Sequence, residues 1–126
     1  MTTKIDPAEL QSALDGFCGS DQWYKHWTGR ATYTDGVKYL ADEAGAYWLI
    51  DLVVSWQIHA KVRREPFQVW TLKVNEEDRS AVAGCWNDTP GKSKRLARQK
   101  IEYTDFPLDE IRLFFCDGVL LLPSEY

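Results

Sequence analysis

GAYWLIDLVVSWQIHAKVR, residues 45–63, is the longest apolar run in the chain, and its reading decides the fold. On a 3.6-residue wheel Ala46, Leu49, Ile50, Leu52, Val53, Val54, Trp56 and Ala60 cover more than half the circumference, so a helix here must be covered on several sides. The remaining strip carries Asp51, Ser55 and His59 at i, i+4 and i+8, a spacing at which side chains one turn apart touch. Asp51, Gln57, His59 and Lys61 interrupt the run too often for it to cross a bilayer. The stretch therefore predicts a helix at the centre of a core.

Upstream, Asp6-Pro7 gives an N-cap followed by Pro at the first helical position, with Glu9 in the first turn, which predicts a helix over residues 7–15 stopped by Gly16. Residues 1–5 read as a frayed tail. Residues 18–30, CGSDQWYKHWTGR, lie between glycines and are dense in rings, as expected of an ordered loop or a short strand anchored by its aromatics. Ala31-Thr32-Tyr33 reads as extended. A helix then starts near Thr34 or Asp35, both good caps, with Val37, Leu40, Ala41 and Ala44 on one face. Gly45 leaves too little chain for a loop, so this helix and the next are expected to bend sharply there or to form one kinked helix.

Downstream of Pro66 the hydrophobic period falls from 3.6 to 2. Residues 67–74 (FQVWTLKV) and 81–86 (AVAGCW) flank a polar turn and predict a hairpin; residues 99–103 (QKIEY) alternate as a third strand. Residues 111–116 (IRLFFC) and 119–122 (VLLL) are joined by Asp117-Gly118, a strong two-residue hairpin signal. The expectation is a single α+β domain over residues 1–126, with N-terminal helices packed on one face of an antiparallel sheet of about five strands.

A chain of 126 residues and 14.6 kDa suits one core. A net charge of -4 argues against a surface wholly given to polyanions, so any nucleic-acid contact must be local. Cys18, Cys85 and Cys116 are odd in number and widely spaced, which is no disulfide framework and suits a reducing cytosol. The N-terminus lacks the basic start and apolar stretch of a signal peptide, and a cytoplasmic protein is expected.

Asp51, Ser55 and His59 contain the parts of a hydrolase triad, but a serine in mid-helix has its neighbouring amides tied up and no oxyanion donors beside it. They read instead as the wet strip of a buried helix. Cys18, His26, His59, Cys85 and Cys116 show no spacing at which one local turn presents two metal ligands, and no phosphate-cradling glycine loop is present, so no metal, cofactor or catalytic residue is expected. Cys85 and Cys116, in strands, read as small core hydrophobes. A dispersed enzyme site would need Cys18 or an acid brought to His26 or His59 by the fold.

Two candidate interaction surfaces remain. One is Trp23, Tyr24, His26 and Trp27, where consecutive large rings cannot all point inward. The other is the basic run Lys92, Lys94, Arg95, Arg98 and Lys100, with Lys61, Arg63 and Arg64 as a second patch.

WYKH (23–26), YTDGVKYLA (33–41), GAYWLID (45–51), FQVW (67–70), YTDFPL (103–108) and LPSEY (122–126) together resemble a family of small uncharacterised bacterial proteins, a domain of unknown function also met in phage and plasmid genes. The resemblance spans nearly the whole chain, carries no catalytic residues and implies the company of mobile elements. The function expected is that of a non-enzymatic cytoplasmic protein engaging a protein or ribonucleoprotein partner, with inhibition of a host defence complex as one form. The alternatives are a nucleic-acid-binding accessory protein using the basic loop with Trp23 or Trp27, and an enzyme with a dispersed Cys/His site.

Overall fold

The computed structural model describes residues 6–18, 22–90 and 92–126; the expected frayed tail at residues 1–5 lies outside them. Helix α1 (Pro7–Asp15) is capped by the Asp6 carboxylate, which accepts from the Ala8 and Glu9 N–H groups. Helix α2 (Asp35–Ala44) starts at Thr34, whose hydroxyl accepts from the Val37 N–H, and ends at Gly45, where φ is 62°. That left-handed glycine separates α2 from α3 (Tyr47–Trp56), settling the bend in favour of two helices.

The helix expected over residues 45–63 is shorter than its apolar run. It stops at Trp56 and restarts as α4 (Ala60–Arg63). The break has a local cause: the Gln57 side chain turns in to bond Val53 O and Gln68, while the Arg63 guanidinium donates to the Gln57 and Ile58 carbonyls that the break leaves open. Within α3, Leu49, Ile50, Leu52, Val53 and Val54 are buried, so the central role expected of this stretch holds.

Seven strands among the described residues form one sheet: β1 (Trp23–Lys25), β2 (Thr32–Thr34), β3 (Phe67–Val74), β4 (Ala81–Trp86), β5 (Arg95–Ile101), β6 (Glu110–Cys116) and β7 (Val119–Leu121), in the spatial order β1-β2-β7-β6-β3-β4-β5. The fold is α+β as expected, but the sheet is larger than about five strands and is mixed, because β2 pairs parallel with β7. Nor is it a simple meander: β6 lies against β3 instead of β5. The loop that carries the chain back is pinned at the β3–β4 turn. There Arg79 (φ 61°) donates its side chain to the Thr104 and Phe106 carbonyls, and its own carbonyl accepts from the Thr104 N–H. Phe106, in YTDFPL, is completely buried by this closure.

The third strand starts four residues earlier than the alternation at 99–103 predicts and ends at Ile101, leaving Tyr103 exposed. Its opening was hidden by a bulge: Cys85 pairs with Ala97 and Trp86 with Arg95, so Leu96 is extra and the period-2 pattern is lost. Asp117-Gly118 makes the expected turn, with φ of 51° and 83°.

Alternate residues of β3 face the helices (Gln68, Trp70, Leu72, Val74), joined by Ala81, Ala83 and Cys85 of β4 and Ile111, Leu113 and Phe115 of β6. The motif residues at the chain's two ends meet. Glu125 accepts from the Thr34 hydroxyl at 2.6 Å and from the Gly36 N–H, so a carboxylate from LPSEY sits at the N-terminus of α2, where the helix dipole favours it. Gly36 makes room for this contact: a Cβ would lie 2.5 Å from Leu122 Cδ1 and 2.6 Å from Glu125 Oε1, so both side chains would have to move.

Candidate functional site

The β1 edge of the sheet carries the first candidate surface. His26 follows β1 directly and is buried to 5% exposure. Its Nδ1 accepts from the Thr28 N–H and contacts the Thr28 hydroxyl at 2.8 Å, which assigns the ring proton to Nε2. Nε2 then donates to Asp51 Oδ1 on α3 at 2.7 Å. The same Asp51 oxygen accepts from the Trp27 indole N–H at 3.0 Å. The aromatic loop is thus tied to the central helix through one carboxylate oxygen.

The consequence is unusual for so large a ring: Trp27 is fixed by its N–H and still 82% exposed. On α3, Tyr47 lies one turn before Asp51 and donates to Asp42 of α2. Lys38 pairs with Asp42 at 2.7 Å and lies over the Tyr24 ring at 5.4 Å. Asp42 is held below the usual carboxylate range by the hydrogen bond from Lys38 and then that from Tyr47. Burial first, and the Asp42 bond second, push the Tyr47 phenol up to about 12. Of the four candidate rings, Tyr24 is half-buried and stacks on Tyr33 at 5.8 Å, while Trp23 is 58% exposed.

The other candidates resolve as follows. Ser55 Oγ donates to Leu52 O inside its own helix, Asp51 is engaged by His26 and Trp27, and His59 lies beyond the end of α3 against the Trp56 ring at 4.7 Å. No triad is assembled from these three. Cys18 is exposed, but both His26 nitrogens are already engaged and cannot serve it as a base. Cys85 is buried beside Gln68, and desolvation pushes its thiol up to about 12. Cys116, expected in the core, is only half-buried, because its place on β6 puts it on the sheet face away from the helices. Among the described residues no group of three His, Cys, Asp or Glu side chains is placed to hold a metal, and no helix is long and apolar enough to cross a membrane.

The second candidate surface lies at the opposite edge, on β5. Trp23, on β1, and Arg95 and Arg98, on β5, thus belong to opposite edge strands of the sheet. Lys92 and Lys94 are exposed on a closed loop in which Thr89 O accepts from the Lys92 N–H and the Ser93 hydroxyl. What sequence reasoning missed is that α4 packs on β5. Lys61, Trp56 and His59 thereby share a groove of about 510 Å³ with residues 95–98.

A mixed α+β domain with one aromatic and one basic sheet edge is the class of protein these observations define. The model of a family of unknown function, DUF6876, matches residues 8–126, and the chain belongs to that family. No curated protein and no solved structure matches it.

Proposed function

We propose that this chain is a non-enzymatic binding protein that engages a protein partner, alone or within a ribonucleoprotein, through the face built around Trp27. The observation that carries this reading is the indole itself, held in one orientation by Asp51 and His26 and left in water. An unrestrained tryptophan in a loop gains by folding onto nearby apolar surface. Fixing it outward forgoes that gain and removes rotamer freedom in advance, which favours insertion into a partner's pocket. Asp51, half-exposed beside it, complements a partner whose rim is basic. Inhibition of a host defence complex, whose nucleic-acid grooves are basic, is one form such binding takes.

The test compares wild-type protein with Trp27→Ala, a change at a position 82% exposed, both first matched for folding by circular dichroism. Both are used for affinity capture from a bacterial host and for titration into purified defence nuclease complexes. A partner captured by the wild type and lost with Trp27→Ala supports the reading. Equal capture by both proteins, or none by either, removes it. Full nuclease activity at saturating protein removes the defence form alone.

A further inference from the structure

The β5 edge carries a different feature, independent of Trp27. Its groove is lined by Lys61, Arg95 and Arg98 at the rim, by the paired rings of Trp56 and His59 on one wall, and by Leu96 and Ala97 along the floor. Trp56 is fixed there, its N–H donating to Gln99 Oε1 on β5 at 2.8 Å. Among the described residues no carboxylate lines the groove, and none comes within 4 Å of the Lys61, Arg95 or Arg98 nitrogens.

The groove also continues. Arg95 lines a second groove of about 340 Å³ on the sheet face away from the helices, together with Lys73, Arg112, Trp86 and one carboxylate, Glu110, which lies opposite Lys73. The Trp86 indole lies over Gly84 with its N–H on Thr71 Oγ1, and Arg95 sits over its ring at 5.6 Å. A cationic track thus runs from α4 across the β5 edge to the open sheet face, with a fixed indole in each half.

Charged residues on an edge strand also guard against pairing with other sheets. That role is met by either sign of charge and requires neither grooves nor aromatic walls. Five cations against one carboxylate, Glu110, along the two grooves of a protein of net charge -4, interspersed with aromatic rings, match instead the phosphates and bases of a single strand. We infer that the track from Lys61 through Arg98 and Arg95 to Trp86 binds single-stranded nucleic acid by its backbone, without reading sequence.

Fluorescence anisotropy with labelled 15-nucleotide oligo-dT, oligo-rU and a matched duplex tests this, at 50 and 200 mM salt. Single strands are expected to bind more tightly than the duplex. With about four phosphate contacts, affinity should fall on the order of 50-fold between the two salt concentrations. The double substitution Arg95→Glu and Arg98→Glu keeps the edge charged and should weaken binding at least about tenfold. His59→Ala, an exposed change, should weaken it several-fold through lost stacking. The tighter of the two single strands identifies the natural class. No binding at 50 mM salt overturns the inference, as do duplex binding equal to single-strand binding, unchanged binding by the double variant, and equal affinity for poly-glutamate. Each readout is separate from partner capture by Trp27.

Discussion

At the β1 edge polar side chains are bonded to one another and to the helices: His26 to Thr28 and Asp51, Trp27 to Asp51, Lys38 to Asp42, Tyr47 to Asp42. At the β5 edge the cations Lys61, Arg95 and Arg98 have no carboxylate within 4 Å among the described residues. One edge uses its hydrogen-bonding capacity to hold the fold; the other leaves charge available. The difference teaches that polar residues in a small domain are informative less by type than by whether their partners are internal. Arg63 makes the point within the basic patches, since its guanidinium is committed to the Gln57 and Ile58 carbonyls.

The contrast can be broken most directly at His26. His26→Ala empties a buried position and strips Asp51 and Thr28 of a partner, and should lower stability by about 2–3 kcal/mol. Urea unfolding followed by circular dichroism reads this out; a change within experimental scatter would mean that the network is ornamental. A smaller effect is expected from Asp42. Its folded carboxyl value is depressed, so its contribution is present above the unfolded value of about 4 and is lost as pH falls through the folded one. Because the carboxylate is partly exposed, the gap between wild type and Asp42→Asn should be about 0.5 kcal/mol or less at pH 6 and should close by pH 2. A gap that stays constant across that range would assign the effect to something other than this ionisation. The smallest effect belongs to the other edge. Arg95→Ala with Arg98→Ala should move stability by no more than about 0.5 kcal/mol in either direction, even as oligonucleotide binding is lost. A large destabilisation would show that these arginines serve the fold after all.

What could be read from the sequence was what is local. Asp6-Pro7, Thr34, Gly45 and Asp117-Gly118 act within a few residues of themselves, and each does what its chemistry predicts. The parallel pairing of β2 with β7 joins residues far apart, and no spacing signals it. The same holds for His26 and Asp51, 25 residues apart: each was visible singly, one in an aromatic loop and one on a polar strip, but nothing links a loop histidine to a helix carboxylate before the fold exists. The basic run was legible as composition. Its groove was not, because the wall comes from α4, hidden inside what reads as one continuous helix.

The carboxylate that caps α2 comes from 91 residues downstream of Thr34, and the strand paired with β2 from nearly as far. On a translating ribosome the first half of this protein therefore emerges with a helix start lacking its carboxylate and a strand lacking its neighbour. It waits roughly 5–20 s for both at ordinary synthesis rates. Nascent chains stalled short of Glu125 should present that half to chaperones and proteases as an open, unlatched intermediate, and emergence of the turn that carries Glu125 is the event that locks it.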